Sequence, residues 1–307
     1  MVTLKGKKIC VVGSAGFIAH HLINEIIKEN PKDIIKLDIV TGHDITDFDK
    51  TVKVFKREKP DIVFNLAVLP LPASLTEPHI TVVKILYMMI NLCEMCRLGL
   101  FKRLVHISSS EAYGNALYKP QNELHPLNPR TPYASSKASC DLIGLSYHKT
   151  FGIDIVIPRC FNTYGPEQPL KWGALIPKVI NTILEGGKPV IFKNGKRTRD
   201  FIYVSDTAKG IIGVAKHAKS GEVVNIGTGI ETTVMDMLIT ICKMMDYKGK
   251  FDFQVQRPGD VSQLCCDSSK ARKMFRFKPE VNLEDGLRRT IDYYIDLYFT
   301  KTIRSCK

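Results

Sequence analysis

Four apolar residues, Ile9-Cys10-Val11-Val12, run directly into Gly13-Ser14-Ala15-Gly16-Phe17-Ile18-Ala19, after which apolar residues recur at helical spacing. A short strand, a glycine turn and a helix start in that order leave few folds open. Gly13 permits the tight turn, Gly16 lets the backbone come close to a bound group, and the small Ala19 lets helix and strand pack together. The first N–H groups of a helix have no partner within it, so this corner suits an anion such as a pyrophosphate. A second apolar run, Ile34-Ile35-Lys36-Leu37, ends on Asp38, roughly 20 residues beyond Gly16 as in dinucleotide-binding units. A carboxylate there accepts hydrogen bonds from a ribose and repels a 2′-phosphate. No Arg or Lys follows it immediately, which favours NAD over NADP.

The same alternation continues. Ile62-Val63-Phe64-Asn65, Leu104-Val105-His106-Ile107 and 153–157 read as further strands, with helices around 16–29, 47–58 and 78–98 and another after Pro132. Short β-branched runs alternating with helical segments predict an α/β fold: a doubly wound parallel sheet covered by helices on both faces. Beyond about residue 160 the texture turns irregular, with isolated helical patterns near 173–185, 205–218, 233–245 and 283–298. The expected division is a Rossmann-type NAD-binding domain over 1–160, with a return near 200–226. A smaller C-terminal α+β substrate lobe is expected over 161–199 and 227–307. Ligands of such sheets sit at the carboxyl ends of the strands.

Composition narrows the function classes. There are 44 Lys and Arg against 31 Asp and Glu, a formal charge of +13. The basic clusters Lys5-Gly6-Lys7-Lys8 and Lys193–Arg199 are short and lack stacking aromatics or a helix-turn-helix pattern, so no nucleic-acid partner is expected and these residues read mainly as a solvated face. The longest uncharged stretch, 62–76, is broken by Pro70 and Pro72, so no membrane association is expected. No apolar leader follows the N-terminal lysines, and nine irregularly spaced cysteines read as reduced thiols, so a cytoplasmic location is expected. Cys93-Glu94-Met95-Cys96 lacks a second ligand pair, and the adjacent residues of Cys265-Cys266 and His20-His21 point in different directions. No metal site is expected.

Chemistry enters at Tyr133-Ala134-Ser135-Ser136-Lys137, behind Thr131 as a helix N-cap and Pro132 in the first turn. Four residues of spacing put the phenol and the ammonium on one helical face. A phenol is a poor base at neutral pH, but a fixed Lys⁺ beside it favours the phenolate, which predicts a lowered pKa for Tyr133. Ser108-Ser109-Ser110 ends the fourth predicted strand, where a hydroxyl can orient a substrate alcohol.

These segments resemble the extended short-chain dehydrogenase/reductase family, specifically its NAD-dependent nucleotide-sugar epimerases and dehydratases. The resemblance spans nearly the whole chain. It rests on 13–19, Asn65-Leu66-Ala67, 108–114, 128–137, 158–166, Arg199-Asp200-Phe201-Ile202-Tyr203-Val204-Ser205-Asp206 and Arg257-Pro258-Gly259-Asp260. It implies a nucleotide-diphosphate sugar as substrate and oxidation of the sugar C4 hydroxyl to a 4-keto intermediate, with Tyr133 as base. Lys137 would lower the Tyr133 pKa and hold the nicotinamide ribose, and Ser109 would bond the sugar alcohol. Gly13, Ala15, Gly16, Phe17, Ile18, Asp38, Leu66 and Ala67 would surround NAD, with Asp44 and Ile45 at the adenine. Asn162, Arg199 and Arg257 would meet the substrate, the two arginines holding its diphosphate.

Some positions depart from the family pattern. Ala19 replaces the last glycine of the loop, Val12 replaces a threonine, and the segment from Asp38 to Asp44 is short, so a more open adenine pocket is expected. The helix around 84–89 is bulkier than usual, which puts its contact with the sheet in question. That helix and the Tyr133 helix form the family's dimer interface, so a homodimer is expected, with Met88 and Met89 either exposed on that interface or in the core. After C4 oxidation the branches diverge. C4 epimerisation needs no further base, whereas 4,6-dehydration needs a C5 base, for which Glu111 is the candidate. Ser110 stands where dehydratases of the dTDP-glucose type carry an acid, and this tips the expectation narrowly to epimerisation. UDP-glucuronate decarboxylation ranks third, and a non-catalytic dinucleotide-binding or RNA-associated protein is the rival from another class.

Overall fold

The computed structural model describes residues 1–255 and 259–305, with side chains to 300. In chain order the elements are β1 (Lys8–Val12), α1 (Phe17–Lys28), β2 (Asp33–Leu37), α2 (Phe48–Glu58), β3 (Ile62–Asn65), α3 (Leu71–Thr76), α4 (Pro78–Arg97), β4 (Arg103–His106), β5 (Ser108–Ser109), α5 (Pro132–Phe151) and β6 (Asp154–Cys160). They continue as β7 (Asn162–Tyr164), α6 (Leu175–Leu184), β8 (Val190–Phe192), β9 (Thr198–Tyr203), α7 (Val204–His217), β10 (Val223–Ile226), β11 (Glu231–Thr233), α8 (Val234–Met244), β12 (Asp252–Gln254), α9 (Ser269–Phe275) and α10 (Leu283–Ser305).

The main sheet runs β10-β6-β4-β3-β1-β2, with short β5 also on β6, and every pairing in it is parallel. Strand alternation divides its side chains between two cores. Ile9 and Val11 of β1 pack with α1 and α7, while Cys10 and Val12 pack with α4 and α5 on the other face. A third core joins Phe17 and Tyr164 to Ile176, Ile180, Leu238, Ile241, Leu287 and Ile291 of α6, α8 and α10. The carboxyl ends of β1, β3, β4 and β6 therefore open toward these later helices.

Helix α4 decides between the two alternatives open for Met88 and Met89. Met88 and Met89 are core residues, 7% and 0% exposed. Gly144 of α5 makes room for Met89: a Cβ there would lie 2.7 Å from Met89 Cε. The bulky run thus packs against its neighbours through a glycine on the facing helix. The exposed apolar residues of α4 are instead Ile80, Val83, Tyr87 and Ile90, and α5 exposes Leu142. Because α4 is apolar on both faces, spacing alone did not distinguish them. It is also long and apolar enough to cross a membrane, a property shared by core helices, and half of its apolar stretch is buried in the protein.

Candidate active site

Gly13 closes the turn after β1 at φ +77°. A Cβ there would stand 2.6 Å from Ala67 N, so the loop fits against the end of β3 only with glycine at this position. Asn65 sets that neighbouring loop, accepting from Ala67 N at 3.2 Å. Gly16 is the N-cap of α1 and supplies no side-chain cap. Its first turn lies beside a cavity of about 200 Å³ lined by Ser14, Ala15, Gly16, Phe17, His20, Glu167 and Pro169. A backbone cradle that excludes a Cβ, with an uncapped helix start beside it, fits a dinucleotide pyrophosphate. Asp38 supports the loop, accepting from Ala15 N at 2.9 Å and Val40 N at 3.0 Å. Each carboxylate oxygen keeps a lone pair for a ribose hydroxyl. Asp44 accepts from Thr46 N and Oγ1, at 2.9 and 2.7 Å. Ile45 is buried, and its carbonyl accepts from Asn91 of α4 at 2.8 Å.

The main cavity, about 450 Å³, brings together Gly16, Phe17, Ile18, Leu66, Ser109, Glu111, Tyr133, Lys137, Asn162 and Arg199. Arg257 lies outside the described residues. Thr131 Oγ1 caps α5 by accepting from Ala134 N at 3.2 Å, with Pro132 in the first turn. Ser109 starts a short 3-10 turn and accepts from Glu111 N at 3.2 Å, which sets the backbone of both residues. Tyr133 and Ser109 line the same cavity wall, where the Ser109 hydroxyl acts to lower the Tyr133 pKa. Asn162 Oδ1 is buried and has no hydrogen-bond partner among the described residues, which leaves an acceptor in the cavity wall for a ligand donor.

Electrostatics correct one expectation. Lys137 is 4% exposed, and its ammonium donates to Ile107 O at 2.8 Å. Burial lowers its pKa. The Tyr133 pKa is pushed up, first by burial and then by the Glu111 carboxylate, while the Ser109 hydroxyl opposes the rise. The desolvation that both groups suffer in the cavity wall governs the Tyr133 pKa, rather than the cation one turn away. Burial also raises the Glu111 pKa, against the pull of Arg199, and the Arg199 pKa falls through burial although Glu111 holds it up.

Sequence reasoning missed several cavity residues. Gln168, Lys178, Phe192, Arg197 and Asp260 all line the cavity. Asp260 pairs with both Arg197 and Arg199, the latter at 2.8 Å. Position 260 was legible as part of a motif but carried no role. Arg197 sat in a basic cluster read as solvated, yet its side chain is only 11% exposed.

The fold and this cavity define a Rossmann-type enzyme scaffold. A family model described as GDP-mannose 4,6 dehydratase matches residues 14–290, and the chain belongs to that family. It is 33% identical over 301 residues to a putative UDP-glucose 4-epimerase of Methanocaldococcus jannaschii, covering 93% of this chain and 97% of that one. Among solved structures, a UDP-N-acetylglucosamine 4-epimerase from Methanobrevibacter ruminantium superposes with TM-score 0.86 at 31% identity, covering 95% of this chain and 99% of that one. A dTDP-glucose 4,6-dehydratase from Streptomyces venezuelae, crystallised with NAD, superposes with TM-score 0.89 at 26% identity over 94% and 97% of the two chains.

Proposed function

We propose that this protein is an NAD-dependent enzyme that oxidises the C4 hydroxyl of a nucleoside-diphosphate sugar, with C4 epimerisation as the net reaction and 4,6-dehydration as the alternative. The carrying observation is that Ser109, Tyr133, Lys137, Asn162 and Arg199 line one cavity. Gly13, Ala15, Gly16, Phe17, Ile18, Asp38, Leu66 and Ala67 hold the dinucleotide, with Asp44 and Ile45 at its adenine end. Bound NAD supplies the hydride acceptor and a positively charged ring. Ser109 stands in the same cavity wall as the phenol, and its hydroxyl orients the sugar alcohol. Tyr133 Oη takes the alcohol proton as the ketone forms and returns it when the ketone is reduced. Lys137, in the wall of the same cavity, favours the transient phenolate and meets the nicotinamide ribose. Asn162, Arg199 and Arg257 hold the substrate, the arginines by bidentate contacts to phosphate oxygens.

Glu111 decides the branch. Burial raises its pKa and disfavours the carboxylate that a C5 base must be. Ser110, 2% exposed, supplies no carboxylic acid to protonate a leaving C6 hydroxyl. Both favour epimerisation. The alternative rests on Glu111 lining the same cavity two residues from Ser109. The test is incubation of the purified protein with UDP-glucose, UDP-N-acetylglucosamine, UDP-glucuronate and GDP-mannose, followed by mass and sugar analysis. Epimerisation conserves mass and inverts C4. Loss of water would establish the dehydratase instead, and loss of carbon dioxide a decarboxylase.

We also infer a homodimer formed through α4 and α5, whose outward apolar residues Ile80, Val83, Tyr87, Ile90 and Leu142 make a patch suited to a second copy. Among the described residues eight cysteines are buried as free thiols, which supports a cytoplasmic, reducing location.

A further inference from the structure

The two adjacent histidines near the start of α1 take no part in the chemistry above, yet both bond to the segment that follows β7. His21 Nε2 lies 3.3 Å from Pro166 O. Burial lowers the His21 pKa, so a neutral ring donates its Nε2 proton to that carbonyl. His20 Nδ1 meets the carboxylate of Glu167, the next residue of the segment. One residue farther on, Gln168 O accepts from Tyr294 Oη of α10, and Gln168 Nε2 donates to Thr163 O at 3.3 Å. Residues 166–169 therefore form a strap tied to α1 on one side and to α10 on the other. Glu167 holds φ +68°, in the left-handed region that disfavours a residue with a Cβ, so the ties on both sides must keep this backbone shape.

The strap crosses the dinucleotide cradle. The cavity of about 200 Å³ has Ser14, Ala15, Gly16 and Phe17 on one side, Glu167 and Pro169 on the other, and His20 one turn into α1 between them. Gln168, between Glu167 and Pro169, lines the main cavity instead, so the strap faces both cavities. A carboxylate opposite a pyrophosphate repels it unless a donor or a cation holds it. His20 is that partner. In an epimerisation the hydride taken from C4 returns from the same nicotinamide, so the cofactor has to stay in place through both half-reactions.

We propose that residues 166–169 are a strap that retains NAD in its cradle, fastened by the contact between His20 and Glu167. Both are positioning residues, since they join helix to strap and touch no reacting atom. The strap's role rests on the reading of the cradle as a dinucleotide site and requires no particular sugar.

The test is a chase: protein loaded with labelled NAD is diluted into excess unlabelled NAD, and the bound label is followed in time. His20→Ala unfastens the strap and leaves Glu167 without its partner beside the pyrophosphate, so release should quicken by about 2- to 5-fold, the range of an exposed ion pair. Glu167→Gln should quicken release less, because the repelling charge leaves together with the contact. The double variant should release NAD no faster than His20→Ala, since no contact is left for the second change to break. His20→Arg, which keeps a cationic donor for Glu167, should release as slowly as the wild type. Wild-type release in both single variants overturns the strap. Losses that multiply in the double variant, or a His20→Arg protein as fast as His20→Ala, also overturn it, because these are the marks of general damage to α1. Failure of the wild type to hold labelled NAD at all would instead overturn the dinucleotide reading, and the strap with it.

Discussion

Replacing Asp141 with alanine should destabilise the protein severely. Asp141 lies on α5 at the third position of the spacing Tyr133, Lys137, Asp141, and is 0% exposed. It receives Arg159 Nε at 3.1 Å and Nη2 at 2.6 Å on one oxygen, and Arg159 is 3% exposed. The guanidinium lies 4.5 Å from the ring centre of Tyr113. His106 Nε2 stands 3.9 Å from the other carboxylate oxygen, but burial and Lys137 hold its pKa well below the usual histidine value, so it brings no compensating charge. Asp141→Ala leaves a guanidinium buried without its counter-ion, at a cost of about 3–5 kcal/mol. With about 2–4 °C per kcal/mol for a chain of this order, the melting temperature should fall by about 6–20 °C. Thermal and urea unfolding measure this. Asp141→Leu combined with Arg159→Met removes both charges and should return stability to within about 1 kcal/mol of the wild type. A loss below about 1 kcal/mol in the single variant, or additive losses in the double, would refute the reasoning.

Gly13→Ala should abolish NAD binding, because the new Cβ would sit 2.6 Å from Ala67 N at a φ of +77°; equilibrium dialysis against labelled NAD checks it. Glu111→Gln should raise the melting temperature at pH 8 and have little effect near pH 4. The raised folded-state pKa means that stability is fully present below the unfolded value of about 4.3 and is lost as pH rises through the folded value, and glutamine removes that loss. A pH-independent effect would contradict this sign. Val83→Asp with Tyr87→Asp should convert a dimer into a monomer in sedimentation, while a wild type that is already monomeric would remove the interface assignment.

The parts of the fold carried by local chemistry were legible in the sequence. Gly13 and Asp38 mark a turn and a strand end by residue type, and Thr131-Pro132 marks the start of α5. What was hidden depends on partners distant in the chain. The space that Met89 fills in the core depends on Gly144, on another helix. The pKa of Tyr133 is decided by burial among residues from several elements, which outweighs a cation one turn away. The Arg159–Asp141 pair joins β6 to α5, and nothing near either residue announces it. Arg197 differs: its alternation with Arg199 was present in the sequence, and only the assumption of a solvated basic cluster concealed it.

Turnover of Tyr133→Phe, measured on the sugar nucleotide that the wild type converts and with NAD occupancy determined in the same sample, tests the account most directly. The phenylalanine protein should retain NAD and melt close to the wild type but form essentially no product. A Tyr133→Phe enzyme that keeps wild-type turnover would contradict the assignment of the proton-accepting group and the chemistry built on it.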